Sequence, residues 1–377
     1  MSADRLAHDG PRLVVDLQAL AHNWRAVQRA CPHARVGAVV KNDAYGLGVQ
    51  HVVPTLWTLG CRDFWVATAR EALALPACLP ADARAQGLQL WVLNGLAGAD
   101  PRDFGAHGLT PVLAGPHEAA ALAGYAAAAG GPLPVAVQLD TGLTRLGFGL
   151  PDLALLQPGR ALWRDARPLL WLTHLGRFHD PAAPQCLQQR SRFEQWTGAL
   201  PAAARSIATS SSVFAGHQWH FDHVRTGSAL WGVPTGAPGA PLHPVARLEA
   251  PVLRVVDVPA GTEIGYAGSY ITTHACRVAT VALGYGDGLP FGLVNRGHLM
   301  VAGRPAPVLG GVAMGLVGVD VSAHAPGEVV PGMWAEVYGP QQPLATVAGW
   351  AGVAPNVLLT LTARLAAQRS ATPGGPA

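Results

Sequence analysis

The amino-acid sequence predicts an α/β fold, a TIM-like (β/α)8 barrel followed by a smaller, mostly β C-terminal domain. The length is the first observation, since 377 residues exceed what one compact core usually holds. The second is a series of eight short apolar segments that alternate with helical stretches over about residues 30–235, which is typical of parallel strands. The third is a change, near residue 236, to β-prone segments interrupted by glycine and proline.

The eight apolar segments match the number of strands that a closed barrel needs. Such strands are covered on both faces and should be continuously apolar, as residues 38–40 and 169–172 are. The predicted strands are 34–41, 63–68, 88–94, 109–114, 134–140, 169–175, 205–209 and 221–226. An earlier apolar segment at 12–17 precedes a predicted helix at 18–30 and is one strand too many for the barrel. We expect it to join the C-terminal domain.

The domain boundary is predicted in a segment rich in proline and glycine at 234–242, which is typical of a linker. Residues 1–235 then form the barrel domain, residues 236–369 the β-rich domain, and residues 370–377 a disordered tail. The β-prone segments of the second domain are 245–257, 274–284, 298–309 and 333–338. Because they show almost no helical periodicity, a nearly all-β domain is expected.

Composition and charge argue against several classes of function. A net charge of +3 without a basic run gives no support for nucleic-acid binding. Five cysteines without a C-x-x-C pair indicate neither a disulfide framework nor a metal site. The polar N-terminus lacks the apolar core of a secretory signal, and glycine and proline interrupt the uncharged run at 119–139, so no membrane span is expected. A cytoplasmic protein with a small-molecule partner fits these features best.

Lys41 is the first candidate for chemistry, because active sites of barrel enzymes lie at the C-terminal ends of the strands. It follows the apolar run 36–40 and precedes a polar turn. An isolated lysine there is most often a solvated strand end. The functional interpretation is a partly desolvated lysine whose neutral amine can form a Schiff base.

Other strand ends favour the functional interpretation. The fifth strand ends at the polar segment 140–145, and the sixth ends at His174. The seventh and eighth end at 209–212 and 225–228, which supply hydroxyls, a glycine and backbone N–H groups. Loops at these last two positions are the usual phosphate site of this fold. A lysine facing a phosphate cradle is the arrangement that covalently held pyridoxal 5'-phosphate (PLP) requires.

Five segments resemble motifs of alanine racemases, which are fold-type III PLP enzymes. AVVKNDAYGLG at 38–48 resembles the cofactor-lysine motif of that family, and four further segments match in the same order along the chain. These are LDTGLTRLG at 139–147, VRTGSALWG at 224–232, IGYAGSY at 264–270 and ALGYGDG at 282–288. Because the matches extend over both predicted domains, the resemblance covers nearly the whole chain.

The resemblance implies a set of cofactor-binding residues. Lys41 would be the Schiff-base lysine, and Arg225 would face the pyridine nitrogen, which leaves that nitrogen largely unprotonated and suits racemisation. The residues implied at the phosphate are Tyr45, Ser210, Gly227 and Ser228.

Racemisation needs two bases on opposite faces of the cofactor-bound amino acid. The resemblance implies Lys41 for one and Tyr266 for the other. A free phenol has a pKa near 10 and needs a polarising partner, which His174 would provide through hydrogen bonds toward Tyr266 and Arg225. Taken alone, His174 could be a satisfied core histidine and Tyr266 an ordinary strand aromatic. Since Tyr266 lies in the β domain, the resemblance implies that a second subunit donates it and that the protein is a homodimer.

Substrate binding is where the sequence departs from the family pattern. Arg145 and the backbone N–H of Met314 would hold the carboxylate of a small amino acid. Gln138 stands where the family usually has a lysine, often carbamylated, that binds this arginine. Gly315 replaces an aspartate beside the methionine, and Val357 stands where a tyrosine is usual. Substrate placement and turnover are therefore open.

Three functions remain in competition at this point. The first is racemisation of alanine or another small amino acid. The second is a lyase, aldolase or decarboxylase of the same fold type, which would need no base on the opposite face. The third is a catalytically weakened PLP-binding homologue, against which the presence of a β domain argues.

Overall fold

The computed structural model describes residues 10–177, 180, 182–234 and 240–371. Part of the predicted linker, residues 235–239, and most of the predicted tail, residues 372–377, lie outside these ranges. The described strands form two eight-stranded sheets and one small two-stranded sheet.

The first large sheet is the barrel, and all eight of its predicted strands are confirmed. After β1 (Arg12–Asp16), the barrel strands are β2 (Arg35–Val39), β3 (Asp63–Val66), β4 (Gln89–Val92), β5 (Leu109–Leu113), β6 (Leu133–Gln138), β7 (Ala166–Leu172), β8 (Ala204–Ser206) and β9 (His223–Thr226). They are parallel, in the order β8-β7-β6-β5-β4-β3-β2-β9. Arg225 N donates to Ala208 O across the remaining gap at 3.1 Å, so the C-terminal ends of all the strands surround one mouth.

Helices connect the barrel strands, and local capping explains where several of them begin. They are α1 (Leu17–Ala30), α2 (Lys41–Tyr45), α3 (Val49–Thr58), α4 (Ala69–Ala74), α5 (Pro101–Ala106), α6 (Pro116–Ala121), α7 (Tyr125–Ala129), α8 (Leu162–Asp165), α9 (Pro184–Thr197) and α10 (Ser210–Val213). The Asp16 side chain accepts from the first amides of α1. Thr68 and Glu71 form a reciprocal capping box at α4.

The barrel interior is filled by side chains and is not an open channel. Its inner cluster consists of Trp65, Trp91, Val112, Ala136, Leu170 and Leu172. The Trp65 and Trp91 rings are stacked with their centroids 4.7 Å apart. Buried Asp63 accepts from Trp91 Nε1 at 2.9 Å and pairs with Arg35. This packed floor confines any substrate site to the mouth of the barrel.

The second large sheet belongs to the C-terminal part of the chain. Its region contains β10 (Ala246–Val258), β11 (Glu263–Ile264), β12 (Tyr270–Ile271), β13 (Cys276–Val281), β14 (His298–Val301), β15 (Arg304–Leu309), β16 (Val317–Asp320), β17 (Trp334–Tyr338) and β18 (Ala367–Ala371). The sheet order is β13-β16-β15-β14-β17-β10-β1-β18, and β13 also pairs with β10. Strand β1 therefore lies in this sheet, antiparallel to β10 and parallel to β18.

Two features of this domain differ from the sequence expectation. The domain was expected to be nearly free of helix, yet it contains α11 (Leu344–Ala351) and α12 (Pro355–Leu365). Helix α11 follows Pro343, and α12 begins at Pro355. The buried residues of α12 recur at helical spacing, namely Leu358, Leu359, Thr362 and Ala363. The predicted tail at 370–377 also begins too early, since Ser370 and Ala371 extend β18.

No single helix among the described residues is long and apolar enough to cross a membrane. Only α11 and α12 taken together pass that test of length and composition, and they meet at an angle of 101°.

Candidate active site

Lys41 lies at the mouth of the barrel, directly after β2, where the sequence placed it. Helix α2 (Lys41–Tyr45) is a left-handed turn, with φ angles of 53°, 54° and 54° at Asn42, Asp43 and Ala44. Each non-glycine residue in this conformation costs roughly 1–2 kcal/mol. The turn therefore has to be held by contacts outside its own backbone.

Three contacts hold this turn. The backbone N–H of Asn42 donates to Glu71 Oε1 on α4 at 3.0 Å. The Asp43 carboxylate accepts from Val49 N, at the start of α3, at 2.7 Å. Gly46 ends the turn with φ of 86° and donates to Asn42 O at 2.8 Å. The position of the lysine is thus fixed from two neighbouring helices.

The environment of Lys41 favours its neutral amine. Burial lowers the pKa of Lys41, the positive charges of Arg145 and Arg225 lower it further, and the Glu71 carboxylate opposes them. A lysine with a lowered pKa has more of the free amine that attacks a carbonyl group. The side chain is only partly buried, so it remains reachable from the mouth.

A set of hydroxyls and amides lies across the mouth, at the ends of β8 and β9. Ser210 Oγ accepts from Gly227 N at 3.0 Å and from Ala229 N at 3.1 Å, and it lies 3.2 Å from Thr226 Oγ1. We call this group, together with Ser228, the cradle. Both buried N–H groups donate to the Ser210 hydroxyl, so this one side chain orders the loop that follows β9.

Tyr45 and Asn356 complete the cradle from two sides. The Tyr45 hydroxyl hydrogen-bonds Ser228, and burial raises the pKa of Tyr45 to about 12. A Cβ atom at Gly227 would lie 2.6 Å from the Tyr45 hydroxyl, so only glycine allows this approach. Asn356 Nδ2, on α12, donates to Ser228 Oγ at 2.9 Å, while its buried Oδ1 has no partner within the described residues. The C-terminal domain therefore reaches the cradle of its own chain.

Arg225 lies on the inner face of β9, fully enclosed and without a carboxylate partner among the described residues. Its Nε donates to Ser206 Oγ at 3.0 Å and its Nη2 to Thr173 O at 2.5 Å. Its guanidinium also lies 5.8 Å from the centroid of Trp65. Burial, followed by the charge of Arg145, lowers the pKa of Arg225 to about 10. A cation held without a counter-ion can face a neutral acceptor such as a pyridine nitrogen.

His174 lies beside Arg225 as an uncharged ring. Burial lowers its pKa to about 3, and the charges of Arg225, Arg145 and Lys41 act in the same direction. The expected hydrogen bond between the His174 ring and Arg225 is absent among the described residues. The guanidinium donates to Ser206 Oγ and Thr173 O instead. The two residues still interact electrostatically, since the charge of Arg225 helps to lower the pKa of His174.

Arg145 lies on the exposed loop after β6 and acts electrostatically on Lys41, His174 and Arg225. Buried Gln138 does not bind its side chain. Instead Gln138 Nε2 donates to the carbonyl of Leu146 at 2.9 Å. The Gln138 amide therefore holds the backbone of the loop that carries Arg145. Because this amide is neutral and does not contact the guanidinium, residue 138 does not neutralise the charge of Arg145.

Tyr266 and Met314 are not brought to Lys41 within one chain. They lie together on the β domain, where Gly265 packs against Gly311, and their side chains are 79% and 66% exposed. Neither side chain forms a hydrogen bond or a ring contact with the barrel in the described part of the chain. The backbone N–H of Met314 likewise has no acceptor there. Both side chains are therefore exposed on the surface of their own chain.

Three features of the site were missed from the sequence, and one of them, the presence of a single lysine, carried a clear signal. Of the 26 lysines and arginines, 25 are arginines and Lys41 is the only lysine. Any chemistry that needs a lysine amine must therefore use this residue. Glu71 and Asn356 carried no comparable signal, because their contacts join segments that are distant in sequence.

The chain is similar to alanine racemases over both of its domains. The family models for the N-terminal and C-terminal domains of alanine racemase match residues 15–235 and 245–369. The chain is 36% identical over 349 residues to the catabolic alanine racemase of Agrobacterium fabrum, covering 92% of this chain and 89% of that protein. It is 37% identical over 351 residues to the alanine racemase of Rhodospirillum rubrum, covering 92% of each.

Solved structures give the same result. The alanine racemase of Bartonella henselae with covalently bound pyridoxal phosphate superimposes with a TM-score of 0.90 at 30% identity, covering 96% of this chain and 99% of that one. The biosynthetic alanine racemase of Pseudomonas aeruginosa gives a TM-score of 0.85 at 28% identity, covering 97% and 100%. Sequence motifs, fold and matched length agree over both domains, and the chain belongs to the alanine racemase family.

Proposed function

We propose that the protein is a PLP-dependent isomerase that interconverts L- and D-alanine, or another small amino acid, with Lys41 and Tyr266 as its two bases. The observation that carries the proposal is the single lysine of the chain, held in a left-handed turn opposite the cradle of Ser210. Membership of the family supports the same reaction.

The residues at the mouth fit the cofactor. Lys41 would bind its aldehyde carbon, and the cradle around Ser210, Gly227 and Ser228, with Tyr45, would receive its phosphate. Arg225 would face the ring nitrogen, since no carboxylate among the described residues neutralises the guanidinium. When bound, PLP withdraws electrons from the amino acid and makes its α-hydrogen acidic. Asn356 would hold the Ser228 hydroxyl at the phosphate end through the bond that its Nδ2 donates.

The two proposed bases would exchange protons with opposite faces of the substrate. The lowered pKa of Lys41 leaves more free amine to take a proton near neutral pH. Tyr266 would serve the other face, with uncharged His174 available as a hydrogen-bond partner. Arg145 and the free N–H of Met314 would hold the substrate carboxylate.

We further propose a homodimer in which each subunit completes the partner's site. Tyr266 and Met314 face away from their own barrel, so the second base is missing unless another copy supplies it. Exposed Tyr285 lies beside Met314, since its backbone N–H donates to Ala313 O at 2.9 Å, and exposed tyrosines are enriched at subunit interfaces. The five free cysteines support a reducing, cytoplasmic setting.

The test is a stereochemical assay on purified protein. PLP-loaded protein incubated with L-alanine should yield D-alanine, and Tyr266→Phe should lose at least about a hundredfold in rate, as expected when a general base is removed. Tyr270→Phe, in the adjoining β12, is the matched control and should retain its rate.

Two results would overturn the proposal. No interconversion across a panel of small amino acids would exclude a racemase. Full activity of Tyr266→Phe in cleaving or decarboxylating an amino acid would favour the lyase alternative, which needs no base on the second face. Growth of a D-alanine auxotroph on the expressed gene would additionally support a role in D-alanine supply.

A further inference from the structure

We infer that Glu71 is a positioning residue for Lys41, which fixes the turn that follows the lysine and places a negative charge beside its amine. This inference rests on the proposed role of Lys41 as the cofactor lysine. Glu71 lies on α4, after β3, and reaches back to the end of the neighbouring β2.

The Glu71 carboxylate joins two strand ends. Its Oε1 accepts from Asn42 N at 3.0 Å, and its Oε2 accepts from Ala67 N at 2.7 Å and Thr68 N at 3.4 Å. Asn42 is the first of the left-handed residues, so this bond acts where the backbone leaves ordinary conformations. A carboxylate is suited to this place because it accepts at both oxygens and has no donor to oppose the amides.

The barrel contains a second carboxylate with the same geometry. Glu118, on α6 after β5, accepts from Leu96 N at 2.6 Å with Oε1 and from Ala114 N at 2.6 Å with Oε2. It too joins its own strand end to the loop of the preceding strand. The loop that Glu118 holds contains no lysine. Both carboxylates therefore hold a loop in the same way. Glu71 differs from Glu118 in that the loop it holds contains Lys41.

The charges around Lys41 give Glu71 its second role. Arg145 and His174 act on the amine from the loops after β6 and β7, and Arg225 acts from β9 itself. The two arginines disfavour a protonated lysine. Glu71 is the carboxylate that acts against them. Removal of the Glu71 charge should therefore make Lys41 easier to deprotonate. Removal of the matching loop contact of Glu118 should not.

The first experiment measures the loop contact by hydrogen exchange on the full-length protein. Glu71→Ala should increase exchange in the segment 42–45 and leave 96–97 unchanged, because alanine provides no acceptor for Asn42 N. Glu118→Ala should do the reverse. Unchanged exchange at 42–45 in Glu71→Ala would overturn the positioning role.

The second experiment measures the charge effect on Lys41 itself. Reductive methylation with ¹³C-formaldehyde, before PLP is added, labels one lysine and the N-terminal amine, so the Lys41 signal can be titrated alone. Its pH midpoint should fall by about one pH unit in Glu71→Gln and stay at the wild-type value in Glu118→Gln. Glu71→Asp keeps the negative charge, so its Lys41 midpoint should lie close to the wild-type value. This variant also provides a test of the charge effect if the glutamine variant does not fold.

An unchanged midpoint in Glu71→Gln, or an equal fall in Glu118→Gln, would contradict the inference. These readouts do not depend on turnover or on bound cofactor. Failure of Lys41 to bind PLP would therefore refute the proposed function while the lysine titration still reports on Glu71.

Discussion

Ser210→Ala should destabilise the protein by about 2–6 kcal/mol. The Ser210 hydroxyl is the acceptor for two buried amides, Gly227 N at 3.0 Å and Ala229 N at 3.1 Å. Each buried donor left without an acceptor costs about 1–3 kcal/mol, and an alanine side chain provides no replacement. The same change should weaken PLP binding, because the cradle loses the group that orients its amides.

The assay is denaturant unfolding followed by tryptophan fluorescence, first without PLP and then with PLP in excess. Ser211→Ala is the matched control, since Ser211 is also buried but makes only a 3.4 Å contact with Thr209 Oγ1. We expect the control to lose less than about 1 kcal/mol. Equal stability of the two variants would refute the assignment of Ser210 as the organising hydroxyl.

Three further predictions concern the surroundings of the site. Gln138→Ala should raise KM for the amino acid about three- to tenfold, because the loop that carries Arg145 loses one hydrogen bond of about 1 kcal/mol; an unchanged KM would argue against loop control. Asn356→Val should increase the Kd of PLP about fivefold in equilibrium dialysis, since the cradle loses its contact from α12. His174 has a folded pKa of about 3 and an unfolded value near 6.5, so the unfolded chain binds more protons between these values. Stability should therefore fall as pH drops from about 6.5 toward 3, and His174→Gln should flatten that dependence in unfolding measured at several pH values.

The barrel could be predicted from the sequence because its strands are buried on both faces. Continuous apolar runs such as 169–172 then identify each strand without reference to its partners. The extra segment at 12–17 could be assigned by counting alone, since a closed barrel has room for eight strands. Helix α11 was missed because it consists almost wholly of apolar and small residues and shows no helical period. Helix α12 was missed although it carries a signal, since a proline opens it and its buried residues recur at helical spacing.

The candidate site could be predicted only in part. Residues at strand ends, such as Lys41 and Arg225, are predictable because the fold brings all those ends to one mouth. The left-handed turn at 42–44 was not, since it depends on the carboxylate of Glu71 from another helix. The direction in which Tyr266 faces depends on how the β domain packs, and no local pattern encodes it.

The most direct test of the central claim is borohydride reduction of the PLP-loaded protein, followed by mass spectrometry of its peptides. We expect one pyridoxyl group per chain, attached to the peptide that contains Lys41, with no label elsewhere. Protein that retains no reducible PLP, or that carries the label at the N-terminal amine alone, would contradict the account.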